Sequence, residues 1–108
     1  EILTFFTLLH VIEPIEKLTL DIIDGDTLVC PTRGRAYAAY NPKERTIFLP
    51  AVRYRGFIVP PKEYQDFVLE CLLHEYVHAI QHRDGKPMTH HGFKSKMNKL
   101  FLKLTRET

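Results

Sequence analysis

The sequence predicts an α+β domain in which a small, mainly antiparallel sheet packs on a central helix. Two observations carry that expectation. A long stretch from Lys62 to about His82 contains no Gly or Pro and is apolar nearly all round, the pattern of a helix buried inside its domain. Ahead of it lie short runs rich in β-branched and aromatic residues, separated by turn residues, which read as strands. The chain has 108 residues, suited to one domain over 1–108. Hydrophobic residues make up 44% and charged residues 26%, so a core can form without help from disulfides.

The elements follow in order. Residues 2–12 form a short apolar helix that ends near Pro14. The stretch lacks the basic start and small-residue cleavage site of a signal peptide, so it reads as a core helix. Lys17 to Ile22 alternates with period two and reads as a half-buried strand. Asp24-Gly25-Asp26 marks a turn, and Thr27 to Cys30 a second short strand. Arg35 to Tyr40 and Arg45 to Pro50 flank Asn41-Pro42-Lys43-Glu44, a hairpin with a four-residue loop. Residues 51–61 are irregular and end in Pro60-Pro61. On the helix that follows, Phe67, Cys71, His74 and His78 share a face, and Leu69, Leu73, Tyr76, Val77 and Ile80 cover much of the rest. Asp84-Gly85-Lys86-Pro87 stops it. A final helix runs from about Gly92 to Thr105, with Phe93, Met97, Leu100, Phe101 and Leu104 on its apolar side.

Several function classes are disfavoured. The net charge of +2 is too small to imply a polyanion partner by itself. Cys30 and Cys71 form no CxxC pair, which excludes a zinc ribbon within the chain. They favour a reducing, cytoplasmic setting, with a Cys30–Cys71 disulfide as the alternative. No apolar run approaches the roughly 20 residues of a membrane helix. A monomer is expected.

The chemistry sits in His74-Glu75-Tyr76-Val77-His78. Residues four apart on a helix lie on one face, about 6 Å apart along the axis. Two imidazoles so placed can converge on one metal, and Glu75, adjacent to the first, can act as general base. Zinc there would lower the pKa of a water toward about 7. The five-residue pattern also arises in many metal-free helices. Here it falls within an apolar helix, where two histidines and a glutamate are costly unless paired or metal-bound. A third ligand is available from His90-His91-Gly92, and only one of the two histidines is needed if the fourth position stays open. His82 continues the series but lies about 12 Å along the axis from His74, too far to share one ion. It reads as a surface histidine near a helix end, and His10 reads as structural.

Residues His74 to Met97 resemble the SprT-like family of zinc metallopeptidases, which includes bacterial SprT and the eukaryotic protease Spartan. The matching residues stand as HEYVHA from His74 and as HHGFKSKM from His90. Gly34 to Tyr40 and Thr46 to Leu49 look like the family's hairpin ahead of the helix, and the likeness covers roughly residues 18–104. It implies a zincin-like minimal metallopeptidase that hydrolyses peptide bonds in a protein or peptide substrate, including DNA-associated proteins. It also implies zinc on His74, His78 and the histidine preceding Gly92, which is His91, with Glu75 as catalytic base. One departure is that Phe93 follows Gly92 directly, where the family usually has two residues between. That shift in helix phase keeps His90 as the alternative third ligand.

Other surfaces are open to two readings. Lys94, Lys96, Lys99, Lys103 and Arg106 on the last helix either complement its dipole or form a DNA-facing stripe, which the resemblance to Spartan would fit. One hairpin strand, around Tyr37 to Tyr40 or Ile47 to Leu49, is a candidate edge for substrate bound as an added strand. Tyr54, Tyr37 and whichever of His90 and His91 is not a ligand are candidates for stabilising the oxyanion. The rival to a peptidase is a non-catalytic, zinc-stabilised DNA- or protein-binding module.

Overall fold

A computed structural model describes residues 2–24, 28–30, 34–36, 38–51 and 62–107. The expected turn at Gly25-Asp26, the irregular stretch from 52 to 61, and Tyr37 and Tyr54 lie outside the described residues.

The first helix, α1 (Ile2–Ile12), buries Leu9 completely, with Phe5, Phe6, Leu8 and Ile12 partly covered beside it. Glu13 N–H still bonds Leu9 O at 2.8 Å. Pro14, which has no N–H to offer, then ends the helix. Lys17, at φ 62°, turns the chain into β1 (Thr19–Asp24).

Two further strands, β2 (Leu28–Cys30) and β3 (Gly34–Ala36), pair antiparallel with each other. Then β4 (Ala39–Asn41) pairs antiparallel with β5 (Thr46–Ala51), Tyr40 opposite Ile47. The four residues between them form the turn. Asn41 Oδ1 accepts from the N–H groups of Lys43 at 2.9 Å and Glu44 at 3.3 Å, an Asx-type turn. Arg45 completes it at φ 49°.

The structure corrects the expected hairpin and sheet in two ways. The first hairpin strand is divided: Arg35 and Ala36 pair back onto β2, and only Ala39 onward pairs with β5. The main sheet is mixed rather than mainly antiparallel. Its order is β1-β5-β4, and β1 runs parallel to β5 from Thr19↔Thr46 to Asp24↔Ala51. Parallel neighbours need a long connection, and here the chain between β1 and β5 includes the β2–β3 pair and β4.

The long helix α2 (Lys62–Arg83) packs against β5, β4, α1 and the last helix, α3 (Phe93–Glu107). Leu72, Leu73, Tyr76, Val77 and Ala79 of α2 are buried in one core with Ile47 and Leu49 of β5. Leu9, Ile15, Leu18, Phe93, Leu100 and Leu104 complete it. Fully burying each such aliphatic or aromatic side chain contributes about 1.5–3 kcal/mol. Phe101, expected on the apolar side of α3, is instead 42% exposed. It lines a groove of about 520 Å³ between α2 and α3 with Leu69, Leu73, Lys94 and Met97.

Candidate metal centre

Two turns bring the sequence's histidines together. At the end of α2, Gly85 N–H bonds His82 O at 3.1 Å and Lys86 N–H bonds Gln81 O at 2.9 Å. Gly85 takes φ +69°. These are the paired bonds and left-handed residue of a Schellman cap, and they fold the chain back along α2. Before α3, Phe93 N–H bonds His90 O at 3.2 Å, and Gly92 takes φ +65°. A positive φ at the third position is what a type II turn requires. This turn puts His91 at an outer corner and leaves His90 at its base.

The result is a triangle of imidazoles. Ring centres are 5.1 Å apart for His74 and His78, 5.2 Å for His74 and His90, and 5.0 Å for His78 and His90. One potential ligand atom from each lies within 4.8 Å of the others. With Zn–N bonds of about 2.0–2.1 Å and tetrahedral angles, imidazoles sharing one ion stand with centres roughly 5 Å apart. The three side chains present therefore fit a metal ion. His78 is buried, His74 partly buried and His90 exposed, so the triangle is held from below and reached from solvent. His91 is exposed and is not one of the three.

Phe93 floors the triangle. Its ring centre lies 4.4 Å from that of His74, 4.8 Å from His78 and 5.1 Å from His90, and its side chain is buried. A metal ligand on an apolar floor works in a locally low dielectric, which strengthens its charge interactions. The sequence marks Phe93 as a core residue of α3 and as the aromatic that follows Gly92 directly, but not as a neighbour of the three histidines.

Gln81 also escaped sequence reasoning. It is only 4% exposed, and its Oε1 accepts from His78 Nδ1 at 3.0 Å. Its Nε2 donates to Thr89 O, also at 3.0 Å. Its place three residues beyond His78, on the same helix face, was the available clue.

Glu75 is buried, 4% exposed, immediately after His74. Cys71 sits one turn earlier as a free thiol. Burial first, then the carboxylates of Glu75 and Glu70, push that thiol up to about 11. His82 serves another purpose: its Nδ1 shares a hydrogen bond with the Tyr40 hydroxyl at 2.9 Å, anchoring β4 to α2. His10 Nδ1–H donates to Phe6 O at 3.2 Å, and its ring meets Phe6 and Tyr76 edge-on. It is structural, as expected.

The lysines of α3 divide between two faces. Lys96, Lys99 and Lys103 line a cleft of about 230 Å³ together with Lys86 from the connecting loop, over Val77 and Leu100. Lys94 lines the α2–α3 groove instead. Among the described residues no helix is long and apolar enough to cross a membrane.

Comparison with family models, with curated proteins and with solved structures gives no match.

Proposed function

We propose that this chain is a zinc-dependent metalloendopeptidase domain of the SprT-like, zincin-like kind, with His74, His78 and His90 as metal ligands and Glu75 as general base. The observation that carries the reading is the imidazole triangle, with a buried carboxylate on Glu75, the residue that follows His74. Among the described residues the metal group contains three histidines and no further ligand. Three protein ligands with a fourth position left over is the pattern of catalytic zinc, whereas structural sites usually close all four. Bound zinc would polarise a substrate carbonyl and acidify a water.

The chain's own part is to bind, orient and move a proton. The three imidazoles would hold the ion, with the buried Phe93 ring packed against all three. A Glu75 carboxylate oxygen takes the proton from the attacking water and passes it to the departing amine. Substrate binds as an added strand on β4, whose outer edge is unpaired among the described residues. Ile47 to Leu49 are not such an edge, because β5 is the middle strand. The free thiol of Cys71 supports a reducing, intracellular setting.

The test is Glu75→Gln with zinc measured by mass spectrometry and hydrolysis measured on an unfolded protein substrate. Zinc content should be unchanged and hydrolysis should fall by about 10²–10⁴-fold. Undiminished hydrolysis would remove Glu75 from the mechanism. Zinc bound without hydrolysis in the wild type would favour the non-catalytic module.

A contact with DNA is favoured by the four-lysine cleft. Of the two acids lining it, Glu13 is bonded by Arg83 at 3.0 Å and met by Lys103 at 3.6 Å. Asp84 is held by Arg83 at 2.9 Å, which keeps its carboxyl below the usual range. The remaining lysines therefore present a net positive surface suited to phosphates.

A further inference from the structure

We infer that Gln81 is a positioning residue that selects which nitrogen of His78 faces the metal and, through the same amide, ties down the loop that delivers His90. The inference rests on the metal site proposed above but concerns a residue outside the ligand set.

Thr89 O is a carbonyl and can only accept, so the group 3.0 Å from it must be the Gln81 amide nitrogen. The amide is thereby fixed in one orientation, with Oε1 toward His78. Oε1 can only accept, so His78 Nδ1 at 3.0 Å must carry the proton. A neutral imidazole has one N–H, and His78 is therefore held as the Nδ1–H tautomer with its lone pair on Nε2. That nitrogen is buried and is the one left to ligate. Outer hydrogen bonds of this kind fix the orientation and tautomer of metal-binding histidines.

Glutamine alone joins both tasks here. Thr89 O is one residue ahead of His90, and Gln81 O also accepts Lys86 N–H at the cap of α2. One residue thus holds the returning loop at both ends. A glutamate at 81 would still accept from His78 but would set a carboxylate against the Thr89 carbonyl. A leucine would do neither.

The experiment has two arms. In the first, ¹⁵N NMR of the imidazoles in the zinc-free wild-type protein, above the histidine titration range, should show His78 protonated on Nδ1. In the second, zinc affinity is measured by chelator competition. Gln81→Leu should weaken it by about 10–100-fold and lose the Nδ1–H preference, and Gln81→Glu should keep the tautomer while weakening zinc binding less. An Nε2–H tautomer in the wild type, or unchanged zinc affinity in a folded Gln81→Leu, overturns the inference. If the wild type takes up no zinc, the metal reading fails, and the NMR arm by itself upholds or overturns the tautomer assignment. The same arm decides if Gln81→Leu does not fold.

Discussion

The imidazoles of His78 and His90 stand 5.0 Å apart, centre to centre, across a chain reversal built on two glycines at positive φ, Gly85 and Gly92. The neighbour of His90, His91, occupies the exposed corner of the second turn. Metal binding should therefore separate these adjacent residues. His90→Ala is expected to lower zinc affinity by more than about 100-fold, beyond the loss of an outer-shell partner. His91→Ala should leave zinc affinity within a few-fold of wild type. Metal content of both variants by mass spectrometry decides it, and the opposite order would return the ligand role to His91.

Tyr76 should be a stability residue with no part in the chemistry. It is fully buried, and its hydroxyl donates to Glu13 O at 2.7 Å, locking α2 to the end of α1. Burial holds the phenol well above its ordinary pKa, so it remains a donor at all working pH. Tyr76→Phe should cost about 1 kcal/mol. Tyr76→Ala should cost about 3–5 kcal/mol through the cavity it leaves. Urea unfolding of the zinc-free protein measures both. A Tyr76→Ala loss below that of Tyr76→Phe would contradict the packing described.

Cys71 predicts a pH dependence. Its thiol is raised from 9.0 to about 11, so the folded chain holds that proton more tightly than the unfolded chain does. Stability from this group is fully present below about pH 9 and declines as pH rises toward about 11. For the same reason Cys71 should alkylate slowly at pH 8, because the thiolate is the nucleophile. Peptide mapping after iodoacetamide treatment separates it from Cys30. Rapid labelling of Cys71 at pH 8 in the folded protein would contradict the burial that raises it.

The lysine cleft predicts salt-sensitive DNA binding. Affinity for duplex DNA should fall steeply as salt rises, with a slope of about −0.9 per phosphate neutralised. The triple variant Lys96→Glu, Lys99→Glu, Lys103→Glu should abolish that binding and leave zinc content unchanged. Lys94→Glu, on the other groove, should change it little. Equal losses from Lys94→Glu and from the triple variant would mean that the cleft is not the contact surface.

Local pattern alone determined much of this protein. Apolar runs bounded by Pro14 and by Gly85-Lys86-Pro87 place α1 and α2 almost to the residue, because helix formation and helix stopping are local events. The four-residue loop was legible as Asn41 to Glu44, one residue ahead of the turn at 42–45, because Pro42 and its polar neighbours break the strand pattern locally. The pairing of His74 with His78 was also legible, being set by the helical repeat. Tertiary structure alone decided the rest. Whether β1 lies parallel to β5, and whether Ala36 pairs with β2 or continues toward β5, depends on strand partners that alternation does not name. The choice of His90 over His91 for the imidazole triangle rests on the backbone angles of Gly92 and on where the Schellman cap sends the loop. The parts played by Gln81 and Phe93 depend on contacts across that loop, which exist only once α2 and α3 have packed.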